Sequence, residues 1–230
     1  MWTQIMNVLR EPNLCSTIVR LTLSIICGGL IGLERVKKRR PAGFRTYMLV
    51  CLGAALTMVI SQYLASMGQA TDVSRLGAQV INGVGFLGAG TIIVTGKQQI
   101  KGLTTAAGLW ASACMGLAIG AGFYFGALIG CALIILTISL LGMLEGRIMS
   151  TARNMNVYIE FSETDDIGET IEKLKSLNVR IFDIEITKIR SSDGLPPSAI
   201  LFIRLPRKAK HSDVMAAISS VSGVQAVEEL

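Results

Sequence analysis

"NGVGFLGAG", residues 82–90, is the stretch whose reading decides the fold. Its Gly83-x-Gly85-x-x-Gly88 spacing matches the dinucleotide-binding fingerprint. That fingerprint needs a strand before it, a soluble helix after it and an acid about 20 residues on. Here the glycines sit within an apolar stretch, and the first acid after Gly88 is Glu145. The nucleotide reading fails. Two readings remain: small residues that let membrane helices approach closely, or glycines that unwind a span around a bound species. The sequence favours packing, with Gly28 and Gly32 in the first apolar run and Gly83, Gly85, Gly88 and Gly90 in the third.

The surroundings agree with a membrane setting. Of 230 residues, 51% are hydrophobic and only 17% charged, where a soluble domain carries about 25% charge. A span needs roughly 20 apolar residues, and five stretches qualify: 14–33, 46–64, 76–95, 102–121 and 123–144. Residues 35–45 hold Arg35, Lys37, Lys38, Arg39, Arg40 and Arg45 without an acid. Beside an apolar run, such a cluster marks a cytoplasmic membrane face rather than nucleic-acid binding. Placing it inside also places Lys97, Lys101, Arg147 and Arg153 inside, against Arg10 and Arg75 outside. The N-terminus is therefore expected outside and the chain after 145 in the cytoplasm. No cleavable signal peptide is expected, because the N-terminal segment lacks a basic region and the following run is span-length.

The tail changes character. "NVYIEF" alternates, "DDIGETIEKLKSL" has helical spacing, "VRIFDIEITKIR" and "SAILFIRL" alternate around the turn "SSDGLPP", "HSDVMAAISSV" is helical and "VQAVEEL" is a last strand. This β-α-β-β-α-β order is the ferredoxin-like split arrangement. The expected fold is thus an α-helical polytopic membrane bundle over 1–150, followed by an α+β soluble domain over 151–230. The ending "AAISSVSGVQAVEEL" resembles the ligand-sensing modules called ACT domains.

Four stretches in order resemble the MgtC/SapB family of bacterial membrane proteins: "GGLIGLER" at 28–35, "PAGFRTYMLVCLGAAL" at 41–56, "AQVINGVGFLGAG" at 78–90 and "KGLTTAAGLWASA" at 101–113. The resemblance implies a cytoplasmic-membrane protein connected with growth in low magnesium and with survival of pathogens inside host cells. It also implies that some members act on the proton-driven ATP synthase, and that an ACT-like tail occurs in the family. The chain departs from the family pattern at Asp72-Val73, usually Asp-Pro, and at Asn82, usually serine or threonine.

Ionisable and polar groups within spans are functional-site hypotheses. Arg20 lies in the outer part of span one. Arg75, Gln79, Asn82 and Phe86 follow i, i+4, i+7, i+11 and share one face of span three. With Asp72 as the nearby acid, Arg20, Arg75, Gln79 and Asn82 form an expected outer-leaflet polar layer. The alternative is that Arg20 snorkels outward and the amides tie helices together. At the inner face, Glu34, Arg35, Arg45, Thr46, Lys101, Thr104 and Thr105 cluster where span four begins. There, free helix amides beside basic groups suit an anion such as a lipid phosphate or a partner's carboxylate. Simple threonine capping is the competing reading.

No catalytic residue, metal-ligand set or cofactor is expected. His211 is the only histidine, no span carries a nucleophile–base pair, and the five cysteines form no CxxC pair. Mg²⁺ prefers carboxylates and retained water, yet the spans offer only Glu34, at the inner end. The leading expectation is a non-enzymatic membrane protein of magnesium homeostasis that modulates a membrane partner. The runner-up is a small transporter or channel with its site between spans one, three and four. The expected partners are the lipid bilayer, a second copy of the chain (a homo-oligomer, with a dimer favoured) and a membrane protein such as the ATP synthase, with no nucleic acid.

Overall fold

The computed structural model describes residues 11, 13–38, 40–68, 72–94, 100–144, 152–163, 166–188, 196–206 and 209–230. They fall into two compact units, one of residues up to Met143 and one from Leu144 to Leu230. The turns read from the sequence at 95–99 and 191–195 lie outside the described residues.

The first unit is helical: α1 (Leu14–Lys37), α2 (Phe44–Ser66), α3 (Val73–Ala89), α4 (Leu103–Gly120) and α5 (Tyr124–Leu136). A π-helical turn over Thr137–Leu141 continues α5 toward Leu144. Among the described residues, four helices, α1, α2, α4 and the extended α5, are long and apolar enough to cross a membrane. The sequence expected five. The fifth corresponds to α3, whose 17 residues give about 25 Å, at the short end of the range for a spanning helix. It ends at Ala89 rather than Thr95, where Thr91 Oγ1 and Thr91 N both donate to Gly88 O. The β-branched run that follows favours extended backbone. It forms the two-residue strand β1 (Ile93–Val94), paired antiparallel with β2 (Ile100–Lys101). Gly102 then turns the chain into α4 with φ of 103°, a left-handed conformation that glycine adopts without strain.

α1 begins at a reciprocal cap: Ser16 N donates to Asn13 Oδ1 at 2.8 Å, and Asn13 N donates to Ser16 Oγ at 3.0 Å. It runs four residues past the expected end and carries Arg35 and Lys37 in its last turn, where cations suit the helix dipole. α1 and α2 pack closely because Gly28 and Gly32 face Tyr47, Cys51 and Phe44. The core of this unit joins Cys27, Ile31, Tyr47, Cys51, Ala54, Leu109, Ala113 and Ile119.

The second unit holds β3 (Asn154–Phe161), α6 (Asp166–Ser176), β4 (Arg180–Lys188), β5 (Ser198–Arg204), α7 (His211–Ser219) and β6 (Val224–Glu229). This is the element order read from the alternating and helical patterns. The sheet runs β4-β5-β3-β6, and every neighbouring pair is antiparallel. Met155, Val157, Ile159, Phe161, Leu201 and Ile203 on one sheet face join Ile167, Leu174, Val214 and Ile218 of the helices in a separate core. The bulges in β4, at Ile181/Asp183 and Ile186/Lys188, re-aim its side chains within a strand whose sequence reads as continuous alternation.

Candidate functional site

The polar interior of the helical unit is built around two buried arginines. Arg20 of α1 is 1% exposed. Its guanidinium donates to Gln62 Oε1 at 2.5 Å, to Gly120 O at 2.8 Å and to the Tyr124 hydroxyl at 3.3 Å. Gly120 is the last residue of α4, so its carbonyl has no intrahelical partner. A cation there also complements the helix dipole. Gln62 adds a second contact, its Nε2 donating to Ala121 O at 3.2 Å. Arg20 and Gln62 thus close the α4–α5 turn, which passes through Gly122 at φ 81°.

The second arginine, Arg35 near the end of α1, is 3% exposed. It donates to Thr105 Oγ1 at 2.5 Å in the first turn of α4. The Tyr47 hydroxyl donates to Thr105 O at 3.4 Å. Gly108 stands opposite, where a Cβ would lie 2.5 Å from the Tyr47 oxygen and force that side chain to shift. Arg35 Nε is buried without a hydrogen-bond partner. Its neighbour Glu34 pairs with Lys38 at 3.4 Å. Lys38 Nζ also donates to Ile138 O, in the π-helical turn, at 2.7 Å.

The structure separates the residues expected in the outer layer. Arg20 turns into the bundle, whereas Arg75, Gln79 and Asn82 are exposed on one face of α3, with Phe86 81% exposed beside them. Asp72 caps α3, accepting from Ser74 N at 2.9 Å and Ser74 Oγ at 2.6 Å. Those two bonds, hydroxyl first, hold its carboxyl below the usual range. Of the expected inner cluster, Arg35 and Thr105 meet, while Arg45, Thr46, Lys101 and Thr104 are exposed. Of the expected packing glycines, Gly28 and Gly32 abut α2 and Gly88 abuts Ala106 of α4, but Gly83 and Gly85 have nothing within 4 Å among the described residues. Gly90 meets only carbonyls of Phe86 and Leu87 in its own helix. Gln62, Tyr124 and Tyr47 were not singled out from the sequence. Gln62 alone carried a signal, as an amide late in an apolar run.

A model of the MgtC family matches residues 21–147, more than half of the chain; the matched stretch includes Arg35 and begins one residue after Arg20. The chain belongs to the MgtC family. The putative magnesium transporter YhiD of Escherichia coli K12 is 33% identical over 215 residues, covering 91% of this chain and 96% of that protein. Protein SapB of Bacillus subtilis is 28% identical over 222 residues, covering 92% and 94%. Protein MgtC of Brucella abortus 2308 is 41% identical over 128 residues, covering 56% and 52%. Among solved structures, the CheA P2 domain in complex with CheY from Thermotoga maritima matches 34% of this chain and 95% of that one. Its TM-score of 0.27 and 16% identity are too low to bear on the fold. This MgtC-family chain is a membrane protein with a strand-containing second unit, and the family match lies almost wholly on the helical one.

Proposed function

We propose that this MgtC-family protein serves magnesium-related homeostasis in the bacterial plasma membrane by docking on and modulating another membrane protein, not by conducting Mg²⁺. The observation that carries the reading is the uncovered polar stripe on α3: Arg75, Gln79 and Asn82, with exposed Phe86. Side-chain amides facing hydrocarbon are costly and are ordinarily satisfied by another protein surface. The ATP synthase implied by the family resemblance is one such partner, and a homo-oligomer is the other arrangement that would cover the stripe. The tail is taken as cytoplasmic and ferredoxin-like, close to an ACT domain. In support, its strand order puts the first and third strands at the centre of the sheet.

The magnesium connection rests on the resemblance and on the relatives' names, and the interior argues against Mg²⁺ passing through. The buried polar side chains described in the helical unit are Arg20, Arg35, Ser16, Ser24, Ser61, Thr105 and Ser112, without a carboxylate. A guanidinium offers only donors and carries a positive charge. At an effective dielectric of about 20, a divalent cation ~10 Å from one guanidinium is repelled by ~3 kcal/mol.

Photocrosslinking tests the docking reading. A crosslinker at Gln79 or Asn82 in native membranes should capture one defined protein, and one at Ile129 or Leu133 on α5 should capture lipid. Lipid alone from both helices would refute docking. Capture of only a second copy of this chain would replace the heterologous partner with a homo-oligomer.

A further inference from the structure

Three arginines of the second unit converge on one cavity. Arg153 immediately precedes β3, Arg180 opens β4 and Arg204 closes β5. With Asn178, Leu205 and Pro206 they line a pocket of about 440 Å³, and no acidic side chain is among its described lining residues. The volume is in the range of small-molecule sites.

The register places these charges. Arg180 and Arg204 are direct cross-strand partners, and Asn154 is the partner of Arg204 on its other side. Like charges directly opposite one another on neighbouring strands repel, so nothing in the sheet itself accounts for the pairing. Arg153 is fixed at the third corner by its backbone, with Leu205 N donating to Arg153 O at 2.7 Å. Its Nε reaches Leu205 O at 3.4 Å, and buried Leu205 anchors that wall. Among the described residues, none of the three guanidiniums is within ion-pair distance of a carboxylate. Asn178 enters the rim from a left-handed turn at φ 57° after α6 and contributes an amide.

We infer that this pocket is a binding site for a phosphate-bearing ligand. Planar guanidinium forks bind phosphate oxygens two at a time. Three of them around a space larger than a single phosphate suit a ligand with two phosphoryl groups, or a phosphate with an attached alcohol. The first describes a soluble diphosphate compound, the second a phospholipid headgroup. The site lies entirely within the second unit and does not depend on docking by α3.

The test uses the full chain in phosphatidylcholine nanodiscs at fixed ionic strength, with inorganic pyrophosphate and glycerol phosphate titrated separately by calorimetry. At least one should bind saturably. The Arg180→Gln/Arg204→Gln pair should weaken it tenfold or more, while Lys173→Gln on the exposed side of α6 leaves it unchanged. Arg153→Gln, outside the strand ladder, is the second variant should the pair perturb folding, and it too should weaken binding several-fold. A tenfold preference for pyrophosphate assigns a soluble ligand, and parity or preference for glycerol phosphate assigns a lipid headgroup. No saturable binding of either probe, or binding that well-folded Arg153→Gln leaves unchanged, overturns the proposal.

Discussion

Alanine at Gly28 and alanine at Gly83 make the same chemical change in opposite surroundings. A Cβ at Gly28 would lie 2.7 Å from Tyr47 O, 2.9 Å from Cys51 Cβ and 3.0 Å from Met48 Cα. Ordinary contact begins at 3.4 Å, so α1 and α2 must part by the 0.7 Å between 2.7 and 3.4 Å. Two of those three neighbours are backbone atoms, which no side-chain rotation moves. Overpacking of this kind costs roughly 1–3 kcal/mol. Against it stands a gain of about 1 kcal/mol for alanine over glycine in a helix interior. At Gly83 and Gly85 nothing lies within 4 Å, so only the gain remains. The propensity gain cancels when Gly28→Ala is compared with Gly83→Ala, leaving a difference of roughly 1–3 kcal/mol, the overpacking cost alone. Reversible unfolding of the dilute full chain in mixed detergent micelles measures it. Gly32→Ala, whose Cβ would stand 2.7 Å from Phe44 Cα, should follow Gly28→Ala. If Gly83→Ala or Gly85→Ala destabilises as much as Gly28→Ala, that face of α3 is packed and the placement is wrong.

Two further outcomes are expected. Arg20→Met should destabilise the chain by about 1–3 kcal/mol, because it strands the buried Gly120 carbonyl and removes a partner of Gln62. A double-mutant cycle with Gln62→Leu should then show coupling above roughly 0.5 kcal/mol, and additive losses would refute the shared cap. In the second unit, His211 Nδ1 faces Glu229 Oε1 at 2.6 Å and Nε2 faces Ala152 O at 2.7 Å. Both are acceptors, so only the doubly protonated ring satisfies both. Burial alone would lower this histidine's pKa, but the bonds to Ala152 and Glu229 outweigh it and leave it raised. Its stabilisation is therefore complete below the unfolded pKa of about 6.5 and lost as pH rises through the higher folded value. The Tm gap between wild type and His211→Gln should narrow from pH 5 to pH 8, and a gap that widens contradicts the assignment.

Local pattern carried the second unit well. Alternation, an acidic first turn and helical spacing place all four strands and both helices within about two residues of their observed ends, because each signal is short-range. The helical unit was legible only in part. Apolar length locates α1, α2, α4 and α5, but it overextends α3 into a β-branched run that leaves the helix. Spacing alone does not say which glycine faces a neighbour: Gly28 and Gly32 meet α2, while Gly83 and Gly85 meet nothing. The destination of Arg20 was hidden for a related reason. Its partners Gln62, Gly120 and Tyr124 stand 42, 100 and 104 residues away, and only helix packing brings them together. Helix periodicity correctly put Arg75, Gln79, Asn82 and Phe86 on one face, but it could not tell that this face points away from Arg20.

The most direct measurement is Mg²⁺ entry into sealed liposomes containing only this protein, followed with an internal Mg²⁺ indicator under an imposed inside-negative potential. With two arginines and no carboxylate among the described buried side chains of the bundle, we expect entry at the rate of protein-free liposomes. Saturable, protein-dependent Mg²⁺ entry that Arg20→Met or Asn82→Ala abolishes would contradict the proposed role and make the chain a transporter.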